Sequence, residues 1–280
     1  MNNEKWTKEE CKKLKKIYKE HTNKELAEIF NRSVNGIQCK KKRLGLTENI
    51  SKKNRGNQHF FDIINTEEKA YWLGFIYADG YIIGGKTNSE LGIELNYKDV
   101  EHLNKFNSIF NNYYKVTKKI KDYDAIDRLN NKPISNRIGE MCLIRIYSKS
   151  ICDGLIKNNV VPGKTYSSIY PMINDKKLFL DFLRGYIDGD GSYSIKKVKN
   201  HKYPRITIQG NNKECFVYIS NRLKKEFDIA SSIYSDRQCF KFEIHKTKDC
   251  MKLINLMYDN ANIYLDRKFD KVQELKSIAV

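Results

Sequence analysis

Asp79 and Asp190 are the first candidates for residues that take part in chemistry. Each is the next-to-last residue of one of two similar segments. The segments read WLGFIYADG at residues 72–80 and LRGYIDGDG at residues 183–191. Each aspartate stands at the predicted carboxyl end of a helix, where the helix dipole disfavours negative charge, so two neighbouring carboxylates there favour a bound cation. Hard oxygen ligands beside a phosphate-bearing substrate suit Mg²⁺, with Mn²⁺ as an alternative.

The small residues of both segments predict two helices that pack closely on each other. They recur four residues apart on one helix face, at Gly74 and Ala78 and at Gly185 and Gly189. Such a face lets two backbones nearly touch. Gly80 and Gly191 are expected to end the helices in the left-handed conformation that glycine adopts cheaply. A single Asp-Gly turn is common at helix ends, but two matched copies with a small α/β unit after each favour a shared site.

Alternating polar and apolar residues after each segment predict strands with one exposed face. The exposed positions in the second copy are Ser192, Ser194, Lys196, Arg205, Thr207, Gln209, Lys241, Glu243 and His245. In the first copy they are Glu94 and Asn96. Helix-period residues separate the strand pairs, which predicts helix, two strands, helix, two strands, helix in each copy. A polar face of this kind can contact base edges and phosphates in a major groove, although an ordinary solvent-facing sheet shows the same pattern.

Residues 1–46 read as a separate unit of three helices. Thr7 with Glu10 and Thr22 with Glu25 form two capping-box patterns, and Ser33 and Gly45 suit the start and end of a third helix. That last helix is basic, and Gln38, Lys41 and Lys42 are expected on its open face, facing DNA. The alternative is a plain helical cap with solvated lysines. Residues 47–59 are polar and basic and read as a linker.

The composition narrows the partner and the compartment. Lysine and arginine total 52 against 34 aspartates and glutamates, so the net charge is +18. This charge suits a nucleic acid. No apolar stretch approaches the ~20 residues of a membrane span, and the first ten residues lack the apolar core of a signal peptide. We therefore expect no membrane partner and a cytoplasmic location.

Cysteine and histidine do not predict a metal site of their own. The seven cysteines are scattered without a C-x-x-C pair, and the five histidines have no metal-ligand spacing. We expect reduced thiols and no zinc site.

The paired segments resemble the two motifs of single-chain LAGLIDADG homing endonucleases, over about residues 60–280. The resemblance implies an α+β fold of two pseudo-symmetric αββαββα half-domains, 60–170 and 171–280, with saddle-shaped antiparallel sheets on double-stranded DNA. It implies that Asp79 and Asp190 bind catalytic metals and that cleavage leaves short 3′ overhangs. Residues 1–46 resemble Myb-like or resolvase-like helix-turn-helix domains through WTKEE and NKELAEIFNRSVNGIQCKKKRLGL.

Members of this family also tend to carry a basic residue after the helix that follows the last strand. Lys164 and Lys268 match that place, so the resemblance implies that they activate water or stabilise phosphate charge. In so lysine-rich a chain, an ordinary surface lysine is the alternative. Trp72, Tyr77 and Arg184 depart from the family pattern, while both aspartates are kept.

The resulting prediction is a magnesium-dependent, site-specific DNA endonuclease that acts as a monomer on a long, non-palindromic target. Two alternatives keep this positively charged fold and have no cleavage activity. One is an intron splicing helper that binds RNA, and the other is a DNA-binding regulator.

Overall fold

The computed structural model describes residues 6–18, 21, 23–46, 55–84, 89–127, 132–164, 167–199, 201–236 and 239–278, with backbone alone for 122–127 and 132–138. The chain forms two compact units, Met1–Arg55 and Gly56–Val280. Within these ranges, no helix is long and apolar enough to span a membrane.

The first unit contains α1 (Lys8–Ile17), α2 (Asn23–Ile29) and α3 (Val34–Arg43). The predicted capping box at α1 is present, because Glu10 N donates to Thr7 Oγ1 at 3.1 Å and Thr7 N donates to Glu10 Oε2 at 2.8 Å. Ser33 caps α3, and Gly45 follows it with a φ of +66°. The second predicted capping box includes Thr22, which lies outside the described residues. Buried apolar side chains join the three helices, namely Leu14, Leu26, Ala27, Phe30 and Ile37.

The open face of α3 is smaller than the sequence suggested. Gln38 and Lys42 are exposed. Lys41 is half-buried, since its Nζ donates to Asn23 Oδ1 at 3.1 Å and lies 5.5 Å from the ring centroid of Tyr18. Lys41 follows the buried Ile37 by about one helical turn and shares its face, so it is less open than Gln38 and Lys42, and its contact with DNA stays a prediction.

The second unit repeats one order of elements. The first copy comprises α4 (Glu67–Asp79), β1 (Gly80–Ile83), β2 (Glu90–Asn96), α5 (Val100–Ser108), β3 (Val116–Asp127), β4 (Lys132–Tyr147) and α6 (Lys149–Lys157). The second comprises α7 (Lys176–Asp190), β5 (Gly191–Val198), β6 (His201–Gly210), α8 (Lys213–Phe227), β7 (Ser232–Asp236), β8 (Cys239–Ile244), α9 (Thr247–Tyr258) and a further α10 (Asp266–Ile278). We call these copies the first half and the second half. The predicted mixed α/β order is confirmed.

Each half contains one antiparallel sheet of four strands, in the orders β1-β2-β4-β3 and β5-β6-β8-β7. One edge strand of each sheet, β1 or β5, starts directly after a motif aspartate. Gly80 pairs with Ile93 and Gly191 pairs with Ile208. Apolar residues of the inner strands, such as Ile93 and Ile208, are buried in the core that the two halves share. This arrangement fixes the ends of α4 and α7 beside the sheets.

The conformation of Gly80 and Gly191 differs from the prediction. Gly80 has φ −81° and ψ 158°, and Gly191 has φ −90° and ψ 176°, so both are extended. Their left-handed conformation was therefore predicted wrongly. Glycine is required for space: a Cβ at Gly80 would lie 2.6 Å from Ile76 Cγ2, and one at Gly191 would lie 2.6 Å from Ile187 Cγ2. The helix runs to the aspartate in each copy, and the strand begins at the glycine that follows it.

Candidate active site at the helix seam

Helices α4 and α7 pack on each other with backbone against backbone. We call this contact between the two helices the seam. A Cβ at Gly74 would lie 2.0 Å from the carbonyl oxygen of Phe182, and one at Gly185 would lie 2.0 Å from that of Tyr71. The two glycines are therefore equivalent across a pseudo-twofold relation. The predicted close approach of the two helices is confirmed.

The aspartates lie where the seam ends. A Cβ built on Gly189 would be 2.3 Å from the Cβ of Ala78 and 3.2 Å from Asp79 Oδ2, so Asp79 reaches the opposite helix. Burial and then the charge of Asp190 raise the pKa of Asp79 to about 6. Burial also raises the pKa of Asp190, although solvent reaches its carboxylate. The two carboxylates therefore influence each other's charge at the end of the seam.

Each of the two lysines selected by resemblance lies at the carboxyl end of one seam helix. Lys164 Nζ donates to the carbonyl oxygen of Ile76 at 3.0 Å and also to those of Tyr77 and Ala78. Burial lowers the pKa of Lys164 to about 8, although Asp190 and Asp79 oppose the shift. Its ammonium neutralises the helix end, where unpaired carbonyls concentrate negative charge.

Lys268 occupies the equivalent place at the end of α7. Its Nζ donates to the carbonyl oxygens of Ile187, at 3.5 Å, and Gly191. Burial lowers the pKa of Lys268, and the neighbouring Arg267 lowers it further. Lys268 is 7% exposed, which an ordinary surface lysine is not.

The aspartate carboxylates are open to a cation. Among the described residues no side-chain donor bonds Asp79 or Asp190, and Lys164 and Lys268 donate to backbone carbonyls instead. The described residues contain no group of three or more histidines, cysteines, aspartates or glutamates that could hold a metal ion. Two carboxylates alone fit Mg²⁺, which completes its coordination with water and substrate phosphates. A cavity of about 270 Å³ beside Lys164 and Asp190 offers room for such groups.

Asp188 is a residue of the site region that the sequence analysis missed. It is fully buried two residues before Asp190. It accepts hydrogen bonds from Tyr71 OH at 2.8 Å, Tyr258 OH at 3.0 Å and Leu265 N at 2.8 Å. Burial raises the pKa of Asp188 to about 6. The repeated aspartates of DGDG were a usable signal, but the three donors come from distant parts of the chain.

Arg184, a departure from the family pattern, also supports the seam. It is 1% exposed and donates to Asp181 Oδ1 at 2.9 Å and to the Ile263 carbonyl oxygen at 3.0 Å. Its ion pair with Glu67, at 2.7 Å, joins α7 to the first turn of α4. A buried guanidinium needs such a complete set of acceptors. Arg184 thus links both halves and the segment that precedes α10.

Most of the polar side chains expected to contact DNA lie on one face of the second sheet. The register aligns Ser192 with Thr207 and Ser194 with Arg205. Ser192, Ser194, Lys196, Gln209 and His245 are exposed, and Arg205, Thr207 and Lys241 are partly exposed.

The prediction that Glu243 is exposed on this face is wrong. It is 3% exposed, because Arg205 and Tyr234 donate to its carboxylate and Lys241 Nζ lies 3.3 Å from its Oε2. Glu243 sits on an inner strand between Thr207 and Ser232. Neighbouring donors therefore cover it.

The first sheet carries more cations on the corresponding face than the sequence analysis named. Asn96 is exposed and Glu94 is partly buried beside Lys121. Pairing through β4 brings Lys119 to this face beside Asn96, and Arg145 beside Gly92. The alternation of KVTKK and IRIY contained this signal.

One family model and one curated relative are similar to parts of this chain. Residues 183–276 match the family model described as LAGLIDADG endonuclease. A stretch of 172 residues is 26% identical to the uncharacterized protein MJ0314 of Methanocaldococcus jannaschii, covering 61% of this chain. The match spans 59% of the length of that relative.

Solved structures resemble the second unit in fold. The meganuclease I-SmaMI bound to uncleaveable DNA has a TM-score of 0.51 and 15% identity over 75% of this chain and 89% of that chain. The meganuclease I-AabMI bound to uncleaved DNA has a TM-score of 0.51 and 14% identity over 75% and 89%. The homing endonuclease I-GzeII in complex with its DNA target has a TM-score of 0.50 and 14% identity over 80% and 90%. Residues 183–276 are thus similar to LAGLIDADG endonucleases, and the chain shares its fold with these meganuclease structures.

Proposed function

We propose that this chain is a homing endonuclease that cuts both strands of a long, non-palindromic duplex DNA and leaves short 3′ overhangs. One observation carries the proposal. Asp79 and Asp190 end the two helices of a tight seam, and a lysine donates to backbone carbonyls at the end of each seam helix. This arrangement supports hydrolysis of one phosphodiester on each strand.

Asp79 and Asp190 would hold Mg²⁺, with Mn²⁺ as an alternative. When bound, the metal would supply Lewis acidity and neutralise charge on the scissile phosphates. Its charge would also favour the ionised form of Asp79, whose pKa is raised to about 6 by burial and Asp190. In the ionised form the two aspartates would hold the cation at the end of the seam.

Lys164 and Lys268 would stabilise the developing phosphate charge and handle protons. With its pKa lowered to about 8 by burial, Lys164 can hold or release a proton near neutral pH. The carbonyls of Ile76 and Tyr77 fix the position of its ammonium group. The geometry supports this role over that of a solvated surface lysine.

The exposed polar faces of both sheets would contact the duplex, with Arg205, Gln209 and Lys241 in the second half and Lys119 and Arg145 in the first. A net charge of +18 favours such a polyanion. We further propose that Gln38 and Lys42 on α3 contact DNA as part of a helix-turn-helix, and that the protein acts as a cytoplasmic monomer.

The test is cleavage of a randomised duplex library by the intact protein with Mg²⁺, with Mn²⁺ and with a chelator. The matched variant carries Asp79→Asn and Asp190→Asn together. A defined cut with 3′ overhangs by the intact protein, and binding without cutting by the variant, would support the proposal. Tight nucleic-acid binding without any cut by either protein would favour the splicing-helper or regulator function.

A further inference from the structure

The segments that carry the two lysines are each held by the opposite half. Lys164 lies between α6 and α7, and Lys268 lies in the first turn of α10. Both side chains cap a seam helix of their own half. The contacts that fix the surrounding backbone come from the other half, and they differ in chemical type.

The segment of Lys164 is held by neutral hydrogen bonds. Ser167 N donates to the Lys164 carbonyl oxygen at 3.1 Å. Asn212 Nδ2 then donates to the carbonyl oxygens of Ser167, at 3.1 Å, and Ile169, at 3.3 Å. Asn212 is 8% exposed and stands at the start of α8 in the second half. Its amide therefore connects α8 to the turn that follows Lys164.

The segment of Lys268 is held by ion pairs. Arg267 Nε lies 3.0 Å and 2.9 Å from the two carboxylate oxygens of Asp99, which directly precedes α5 in the first half. Lys105 Nζ lies 2.7 Å from Asp266 Oδ1. The Asp99 side chain is 5% exposed and that of Arg267 is 54% exposed. This contact is therefore open to solvent ions on one side.

We propose that each half positions the lysine of the other, Asn212 acting on Lys164 through neutral hydrogen bonds and Asp99 acting on Lys268 through Arg267. Asn212 and Asp99 are positioning residues, since each acts on a lysine through the segment that carries it. The inference rests on the proposed nuclease function and adds that the two strand cuts depend on different contacts. Because dissolved salt screens exposed ion pairs more than buried neutral bonds, one cut slows first as salt rises.

The experiment measures the two strands separately. A duplex target recovered from the randomised library carries a different fluorophore on each strand, and cutting is followed in single turnover with Mg²⁺ and saturating protein. Asp99→Asn should slow one strand by about tenfold and leave the other within about twofold, so nicked DNA accumulates. Asn212→Ser keeps a capping hydroxyl for α8, removes the amide donor and should slow the opposite strand.

Two further variants separate positioning from folding. Arg267→Gln removes the same ion pair from its exposed side and should slow the same strand as Asp99→Asn. Asp259→Asn removes an ion pair with Lys276, 3.0 Å long, that stays within the second half. It should leave both strand rates unchanged. DNA affinity is measured for all four variants, and saturating protein keeps any loss of binding, such as the loss of one exposed positive charge in Arg267→Gln, out of the strand rates.

Equal slowing of both strands by Asp99→Asn and Arg267→Gln would overturn the inference, as would slowing of the same strand by Asn212→Ser. Equal salt dependence of the two cuts in the intact protein would also contradict it. If the intact protein cuts neither strand of any duplex, the proposed function fails and the inference fails with it. Normal cutting by every variant overturns the inference alone.

Discussion

Tyr77 in the first half occupies the place that Asp188 takes in the second, two residues before the motif aspartate in each. Tyr77 OH accepts one long hydrogen bond, 3.4 Å from Asn212 Nδ2, and packs against the ring of Tyr186 at 5.1 Å. Asp188 accepts three hydrogen bonds within a fully buried cluster. The seam is thus symmetric in its backbone contacts and asymmetric in the side chains that support it.

This difference separates the features that both halves repeat from those that each half supplies in its own way. Gly74 and Gly185 are repeated because the close approach of the helices needs two equal contributions, and each half also keeps its motif aspartate. The supporting layer has no such requirement, so one half uses aromatic packing and the other a buried carboxylate.

The largest expected effect tests the symmetric part of this comparison. Gly185→Ala would place a Cβ 2.0 Å from the Tyr71 carbonyl oxygen, so the helices must separate. We expect a loss of about 3 kcal/mol or more in the free energy of unfolding. Denaturant unfolding measures it. Gly84→Ala is the matched control, because its nearest neighbour is Pro162 Cγ at 3.7 Å. Equal stability of the two variants would refute a backbone seam.

The next effect tests the asymmetric part. Asp188→Asn replaces an acceptor of three hydrogen bonds with an amide that must point two donors at groups already donating. We expect a loss of about 2 kcal/mol in the free energy of unfolding. Tyr77→Phe removes the weaker contacts of one hydroxyl with Asn212 and Cys215 and keeps the ring, so we expect a loss below about 1 kcal/mol. Thermal unfolding of both variants sharpens the comparison, and a larger loss for Tyr77→Phe would reverse it.

A smaller effect concerns Asp79, one of the two motif aspartates. The pKa of Asp79 is raised from 3.8 to about 6, mainly by burial, so the folded protein binds the proton more tightly than the unfolded chain does. The stability that this group contributes is present below its unfolded pKa and is lost as pH rises through its folded pKa. Asp79→Asn should therefore be more stable than the unaltered protein by about 1 to 2 kcal/mol near pH ~7.5 without metal.

That gain should shrink as pH falls toward about 4.5, where the unaltered aspartate is protonated. Thermal unfolding across this range measures the difference between the two proteins. A gain that stays constant with pH would show that repulsion and burial of the Asp79 charge are not its cause.

The smallest effect concerns the polar face of the second sheet. Glu243 accepts from Arg205 and lies beside Lys241. Glu243→Gln should release these cations toward DNA phosphates, raise affinity and steepen the salt dependence of binding by about one unit. Fluorescence anisotropy at several salt concentrations measures this slope. Unchanged affinity and slope would mean that Arg205 and Lys241 do not contact phosphates.

The sequence predicted the repeated features better than the supporting ones. The close approach at Gly74 and Gly185, the succession of helices and strands along the chain, and the exposed face of Ser192 and Ser194 followed from spacing alone. Gly80 was predicted to be left-handed because glycine after a helix usually is, yet it is extended and is required by contact with Ile76. That contact depends on the turn into β1, which no local pattern specifies.

The supporting contacts could not be read from local sequence because their partners are distant along the chain. Asp188 meets Tyr71 and Leu265, and Asp99 meets Arg267, only after both halves have packed. Glu243 occupies an exposed position in the alternating pattern. It lies on an inner strand, however, where the side chain of Arg205 covers it. Period-two patterns identify the face of a residue and leave its neighbours undetermined.

The most direct test of a shared metal site is strand-resolved cleavage by Asp79→Asn and Asp190→Asn made separately. Each variant is compared with the intact protein at saturating concentration, with Mg²⁺, on the recovered target. If the aspartates form one site, each variant should bind DNA with unchanged affinity and lose both cuts by at least about 10³-fold. A variant that cuts either strand at the rate of the intact protein would contradict a shared site.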